Sequence, residues 1–374
     1  MIVAFCLYKY FPYGGLQRDF LRIARTVAER GHQVRVYAYS WEGERPAELD
    51  IILVPVKART NHGRNAEYYQ WVQAHLQQHP ADRVVGFNKM PGLDVYYAAD
   101  VCYAEKVARE KGFFYKLTGR YKHYAGFEKA VFHLGARTEL LMLTDAQIAD
   151  FKKHYHTESH RFHILPPGIY PERRYDQLPE GARAQIRQKN GIQAGQFLLL
   201  QVGSDFRRKG VDRTISAVAA LPESIRSRVK LLVVGQDKPD RFRAQAEKSG
   251  IGAQVEFFAG RDDVSELMAG ADLLLHPAYQ EAAGIVLLEA IAGGLPVLVT
   301  SVCGYAHYID KARCGVVIGQ PFVQDELNQA LEKGLTDTGL RQQWAANARH
   351  YADTQDIYSL PERAADIILG EIDG

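Results

Sequence analysis

The sequence predicts an α/β protein of two doubly wound domains with a ligand cleft at the carboxyl ends of their strands. Three observations predict it. Short apolar runs alternate with amphipathic helical stretches along nearly the whole chain, which is the pattern of parallel sheets covered by helices on both faces. The length of 374 residues exceeds what one hydrophobic core serves and suits two domains of about 100–200 residues each. The segment Pro166-Pro167-Gly168-Ile169-Tyr170-Pro171 breaks both periodicities and marks the join.

Taken in order, the first domain opens with a strand at 2–7, a turn at Gly14-Gly15 and an amphipathic helix. That helix carries Leu16, Phe20, Ile23, Ala24 and Val27 on one face and stops at Gly31, where a positive φ costs little. Further strands are expected at 34–38, 51–54, 83–87, 95–97 and 140–143, with a helix at 67–77. Beyond the join, a helix at 182–189 leads into strands at 197–202, 230–234, 255–258, 273–276, 296–300 and 315–318. Helices at 211–220, 241–249 and 264–269 lie between them, and a last helix at 359–369 begins at a serine cap.

Composition excludes several classes. Hydrophobic content of 47% with 24% charged residues is that of an ordinary globular protein. A net charge of +2 gives no bulk attraction to nucleic acid, so no nucleic-acid partner is expected. The cysteines, Cys6, Cys102, Cys303 and Cys314, show no C-x-x-C spacing and are expected to be buried thiols rather than disulfides or zinc ligands. The chain starts directly on a strand and has no apolar run of about 18 residues, so it is expected to be neither exported nor membrane-spanning.

Neither G-x-x-x-x-G-K-[ST] nor a post-strand G-x-G-x-x-G occurs, which argues against P-loop NTPases and ordinary NAD enzymes. Three other segments carry chemistry. Glu281-Ala-Ala-Gly-Ile-Val-Leu-Leu-Glu289 follows a strand and enters an apolar helix. Gly284 there lets helix N-terminal amides approach a pyrophosphate, and the two carboxylates, about two turns apart, are expected to accept hydroxyl hydrogen bonds from one ligand. Spacing alone leaves open that Glu281 is only a helix-entrance charge and Glu289 a solvated residue. Val202-Gly-Ser-Asp-Phe-Arg-Arg208-Lys209-Gly210 places cations beside glycines at a strand's end, suited to a diphosphate or simply a solvated basic loop. Tyr13-Gly14-Gly15-Leu-Gln-Arg-Asp19 opens a helix with an acid one turn inside, or is a plain glycine turn.

Together, and in this order, these segments and the entry Arg30-Gly-His-Gln-Val-Arg-Val36 resemble the retaining GT-B glycosyltransferases of the glycogen-synthase-like family 4. Stretches 81–96 and 276–290 are similar to the branch of that family that glucosylates the inner core of lipopolysaccharide. The resemblance implies two Rossmann-like domains with a cleft between them. Residues 1–168 would bind the acceptor and 169–356 the nucleotide sugar, with a C-terminal helix within 357–374 packing back on the first. It implies transfer of a hexose, glucose being the family's choice, from a UDP-sugar donor to an inner-core heptose.

Carried over by position, Glu281 would contact the donor hexose and Glu289 the ribose. Arg208 and Lys209 would hold the diphosphate, joined by the amides of Ala283, Gly284, Ile285 and Val286. Gly15 would add a backbone contact and Asp19 would face the acceptor, while Arg173 and Arg261 would neighbour the base. Many family members have Pro-Phe where this chain has Ala282-Ala283, so that position does not identify the sugar. No metal or other cofactor is implied, since Arg208 and Lys209 stand in its place, and no Asp-x-Asp site is evident. Asp100, at the carboxyl end of a strand running over 95–99, is the candidate cleft carboxylate near the reacting carbon or the acceptor. The histidines at 154, 156, 160 and 163 suit a solvated surface better than a metal site.

Residues 103–132 hold seven Lys or Arg against three Glu, with eight interleaved aromatics. Cations mixed with interfacial aromatics suit an anionic membrane surface, here the cytoplasmic face of the inner membrane, with Lys116, Arg120 and Lys122 as contacts. RNA binding or an aromatic subdomain packed on the first sheet would produce the same composition. Two other functions remain open from sequence: a GT-B sugar-nucleotide epimerase, and a non-catalytic nucleotide-sugar-binding protein.

Overall fold

The computed structural model describes residues 1–12, 14–174, 179, 181–281 and 283–371; Tyr13 and Ala282, both within motifs named above, lie outside them. The chain divides into two compact units, Met1–Gly168 with Ser359–Gly374, and Ile169–Tyr358.

The N-terminal unit holds β1 (Ile2–Cys6), β2 (Lys9–Tyr10), β3 (Gln33–Ala38), β4 (Ser40–Trp41), β5 (Leu49–Leu53), β6 (Arg83–Gly86), β7 (Val95–Ala98), β8 (Glu139–Met142) and β9 (Phe162–Ile164). Seven of these form a parallel sheet in the order β5-β3-β1-β6-β7-β8-β9, and β2 pairs with β4 beside it. Val3, Ala4, Phe5 and Cys6 are all buried, as a central parallel strand covered on both faces requires. The helix Gly15–Glu29 turns Phe20, Ile23, Ala24 and Val27 into the core. Leu360, Ala364, Ala365 and Ile368 of the last helix, Leu360–Leu369, join the same cluster. Arg30 fastens that helix through Asp366 at 2.8 Å and Glu371 at 2.9 Å.

Three strands escaped the sequence pattern. β9 is only three residues long, and β2 and β4 are two each. The helices Tyr103–Glu110, Gly119–Phe132 and Asp145–Tyr155 also lay among strands without being anticipated.

The C-terminal unit is one parallel sheet, β12-β11-β10-β13-β14-β15, formed by β10 (Phe197–Val202), β11 (Val229–Val234), β12 (Val255–Phe258), β13 (Leu273–His276), β14 (Val297–Thr300) and β15 (Gly315–Ile318). Strand order reverses between β10 and β13. Such a reversal sends successive connections to opposite faces and opens a crevice at the strands' carboxyl ends. The basic loop at 203–210 leaves β10 there, and the Glu281 loop leaves β13. The N-terminal sheet reverses in the same way between β1 and β6. All four cysteines are free and buried.

Candidate functional site

The switch point of the C-terminal sheet gathers the charges. Gly210 has φ +72° and sits so close to β13's exit that a β-carbon would collide with the carbonyl of Pro277. Glycine is therefore required where the basic loop turns into the helix Val211–Ala219. Tyr279 N donates to the Arg208 carbonyl at 2.8 Å, which hydrogen-bonds the two loops to each other, and Gln201 Nε2 of β10 holds the basic loop by donating to the Lys209 carbonyl at 2.8 Å. Arg213 braces them from behind. Its guanidinium lies 3.6 Å from the Tyr279 ring centre and 3.7 Å from that of Phe322, and donates to the carbonyls of Pro277 and Ala278.

Glu281 stands in the loop, not on the helix. A bridge pairs it with Cys303, Gly304 N donates to its carbonyl at 3.2 Å, and Tyr305 N donates to that of Ala283 at 2.8 Å. The helix begins only after Gly284, at φ +92°, and runs Ile285–Ala292. Glu281 thus stands at the helix entrance ahead of the cap, and Glu289 lies one turn inside, so the spacing between them is part loop and part helix rather than two helical turns. Val286, Leu287, Leu288, Ala290, Ile291 and Ala292 are buried around Glu289. Inside this apolar helix Glu289 takes the guanidinium of Arg173.

Oε2 of Glu281 is where the cations meet. Lys209 Nζ contacts it directly, and Arg208 Nη1 lies 3.3 Å away. Arg208 also reaches Asp205 at 3.1 Å and donates to the Gln280 carbonyl at 3.1 Å. Burial first, and then the Arg208 guanidinium, push the Lys209 ammonium down to about 8. The sequence motifs had not singled out His276. It closes β13 with no exposure to solvent, and its Nε2 is 3.7 Å from the same oxygen. Burial, Lys209 and Arg208 push its pKa down to about 3, so the ring is neutral. The available signal was a histidine ending an otherwise apolar strand just ahead of Glu281.

The other expected residues fall elsewhere. Arg261 forms a two-point pair with Asp263, both contacts at 2.7 Å, and reaches Asn190 at 3.2 Å. In the N-terminal unit Gly15 starts its helix with open space where a side chain would stand, and Asp19 accepts from Tyr97 Oη at 2.8 Å. Asp100 lies exposed two residues past β7. His154 pairs with Glu105 at 2.7 Å and His163 with Glu139 at 2.6 Å, side chains that leave each histidine to a carboxylate. Among the described residues no group of three or more His, Cys, Asp or Glu is placed to hold a metal ion.

The segment 103–132 is anchored by Glu128, which is wholly buried and faces Lys89. Its far edge is different: Phe113, Phe114 and Leu117 are 73%, 81% and 61% exposed, and Lys116, Arg120 and Lys122 beside them are exposed too. Among the described residues no helix is long and apolar enough to cross a membrane.

Residues 182–351 match the family described as glycosyl transferases group 1, and residues 13–173 match glycosyltransferase family 4. The chain is 71% identical, over the full length of both, to the lipopolysaccharide glucosyltransferase WaaG of Escherichia coli K12. It superposes on a crystal structure of WaaG, a glycosyltransferase involved in lipopolysaccharide biosynthesis, with a TM-score of 0.93 over 98% of this chain and all of the other. An Anabaena protein, HepE, in complex with UDP-glucose shares the fold at a TM-score of 0.77 and 18% identity, each chain covered completely.

Proposed function

The chain belongs to the family 4 glycosyltransferases, and from that premise we propose that it moves glucose from UDP-glucose to a heptose of the lipopolysaccharide inner core, with retention at the anomeric carbon. Full-length identity of 71% to a lipopolysaccharide glucosyltransferase supports this reading. The observation that carries it is the convergence of Arg208, Lys209 and Glu281 at the switch point of one sheet. A cation pair beside a carboxylate matches the two ends of a sugar diphosphate.

In this reading the diphosphate displaces Glu281 from Arg208 and Lys209, and the amides of Ile285 and Val286, with Ala283 and Gly284, help to receive it. Fixed cations and amides aimed at charge that develops on the leaving group form the largest part of such catalysis. Glu281 then accepts from the hexose hydroxyls, while Glu289, oriented by Arg173, accepts from the ribose. Two cations in the site supply the positive charge, so the reaction is proposed to need no metal or other cofactor. Gly15, Asp19 and Asp100 belong to the N-terminal unit and are assigned to the acceptor side. Asp100→Ala should lower turnover while leaving UDP binding intact, and near-normal turnover would remove Asp100 from the reaction.

The decisive experiment is a panel of UDP-sugars with and without a truncated inner-core acceptor. UDP release that needs both the acceptor and UDP-glucose is expected. Interconversion of donors without acceptor would instead mark an epimerase, and binding without turnover a nucleotide-sugar-binding protein.

We further propose that the protein rests on the cytoplasmic face of the inner membrane and has no nucleic-acid partner. Exposed Phe113, Phe114 and Leu117 flanked by Lys116, Arg120 and Lys122 support this, because each cation adds about 1 kcal/mol of attraction to an anionic surface. Replacing the three cations by Gln should weaken binding to phosphatidylglycerol vesicles strongly at low salt. Unchanged binding would exclude these residues as the contact.

A further inference from the structure

His276 is buried without exposure, and among the described residues neither of its ring nitrogens has a hydrogen-bond partner. Burying a polar atom unpaired is destabilising, and a leucine would fill the end of an apolar strand without that penalty. Its Nε2 faces Oε2 of Glu281 at 3.7 Å, less than about 1 Å beyond hydrogen-bond reach. The same oxygen is drawn to Lys209 and Arg208 instead. The Glu281 backbone is fixed by its bridge to Cys303 and by Gly304 N, so rotation of the side chain is the movement available.

We propose that His276 is a positioning residue that takes over Glu281 when the donor diphosphate draws Arg208 and Lys209 away, its Nε2–H holding the carboxylate towards the sugar hydroxyls. The inference rests on the assignment of these three residues to the donor. Two requirements are met by chemistry already described. A diphosphate is the stronger partner for the cations, since Arg forks and phosphate oxygens form charge-assisted, two-point bonds. A neutral imidazole carries one N–H and offers it without adding a positive charge that would bind the carboxylate as tightly as Lys209 does. Glu281 thereby exchanges charged partners for a directional one at the moment the sugar arrives.

The test compares His276→Leu with His276→Gln in the full-length protein, because glutamine keeps an N–H near the position of Nε2. Equilibrium binding of UDP and of UDP-glucose, turnover with acceptor, and thermal unfolding are measured for each. His276→Leu should bind UDP like the wild type, while its affinity for UDP-glucose relative to UDP and its kcat each fall about tenfold or more. Its Tm should be unchanged or higher, since two unpaired nitrogens are gone. His276→Gln should restore both quantities to within about threefold of wild type. An unchanged affinity ratio and kcat in His276→Leu would overturn the proposal, as would a glutamine variant no better than leucine. Parallel loss of UDP and UDP-glucose binding with a lowered Tm would show a packing role only. A wild-type protein that binds UDP but not UDP-glucose would refute the donor-site reading itself, and this inference with it.

Discussion

Two carboxylates, the buried Glu128 in the N-terminal unit and the half-buried Glu281 in the C-terminal unit, each face a lysine, yet their surroundings differ in kind. Glu128 accepts from Lys89, from Tyr103 N at 2.7 Å, from Ala104 N at 2.9 Å and from Tyr155 Oη at 2.7 Å. Two of these donors are amides of the first turn of the helix Tyr103–Glu110, so the carboxylate completes a helix N-terminus from another element. Burial opposes its charge most, but Lys89 and these bonds together hold its pKa below the usual carboxylate value. Glu281 instead shares one oxygen among Lys209, Arg208 and an unpaired histidine. A carboxylate satisfied by its own fold is structural. One whose partners are better suited to another anion is set up for exchange.

Removing each carboxylate charge is the strongest way to break this contrast. Glu128→Gln leaves Lys89 charged in a site where both side chains are largely buried, and losing one member of a buried pair costs about 3–5 kcal/mol. Urea unfolding of the N-terminal unit should show a loss of that size. The helix Gly119–Phe132, which follows the exposed edge at 113–117, should lose its hold on the sheet with it. A loss below about 1 kcal/mol would mean that the hydrogen bonds, not the charge, anchor the segment.

Glu281→Gln should act on activity instead. The amide still accepts a hydroxyl hydrogen bond but loses the charge-assisted strength, so kcat/KM for the donor should fall about a hundredfold, near 2.7 kcal/mol. Stability should change by no more than about 1–2 kcal/mol, because Lys209 already gives up its proton readily and need not remain a buried cation. Equal damage to folding in both variants would erase the distinction.

The contrast also explains what was legible beforehand. The basic loop and the Glu281 segment were readable because both follow apolar strands of ordinary length, and their charges stand where a parallel sheet opens. β10, β13 and β14 matched the pattern because such buried strands are nearly continuous apolar runs. β9 was not readable: its three residues alternate too briefly to show a period, and it sits beside the polar 158–161 turn. Nor was Glu128, because a carboxylate in a segment rich in cations looks solvated until tertiary structure brings Lys89 and Tyr155 to it from 39 and 27 residues away. His276 was hidden for the opposite reason, since nothing local shows that both of its nitrogens stay unpaired.

The smallest effect sharpens the comparison through Lys209. Its ammonium is pushed down to about 8, so kcat/KM for the donor, which reports the free enzyme, should fall as pH rises through that value, to roughly a tenth by about pH 9. The folded pKa lies below the ordinary 10.5, so between the two values the unfolded chain binds the proton more tightly. Over that window the contribution of Lys209 to stability rises with pH while activity falls, in opposite directions. Unfolding therefore cannot imitate the predicted decline, and a melting series at the same pH values separates the two. Lys209→Arg keeps its charge throughout this range and should give a flat profile from about pH 7 to 9, at a lower plateau if the longer fork fits the loop less well. His276, held neutral by burial and by its two cationic neighbours, adds no inflection of its own in that range. A decline that persisted in Lys209→Arg would move the titrating group away from the donor loop and leave Lys209 a counter-charge to Glu281, as Lys89 is to Glu128.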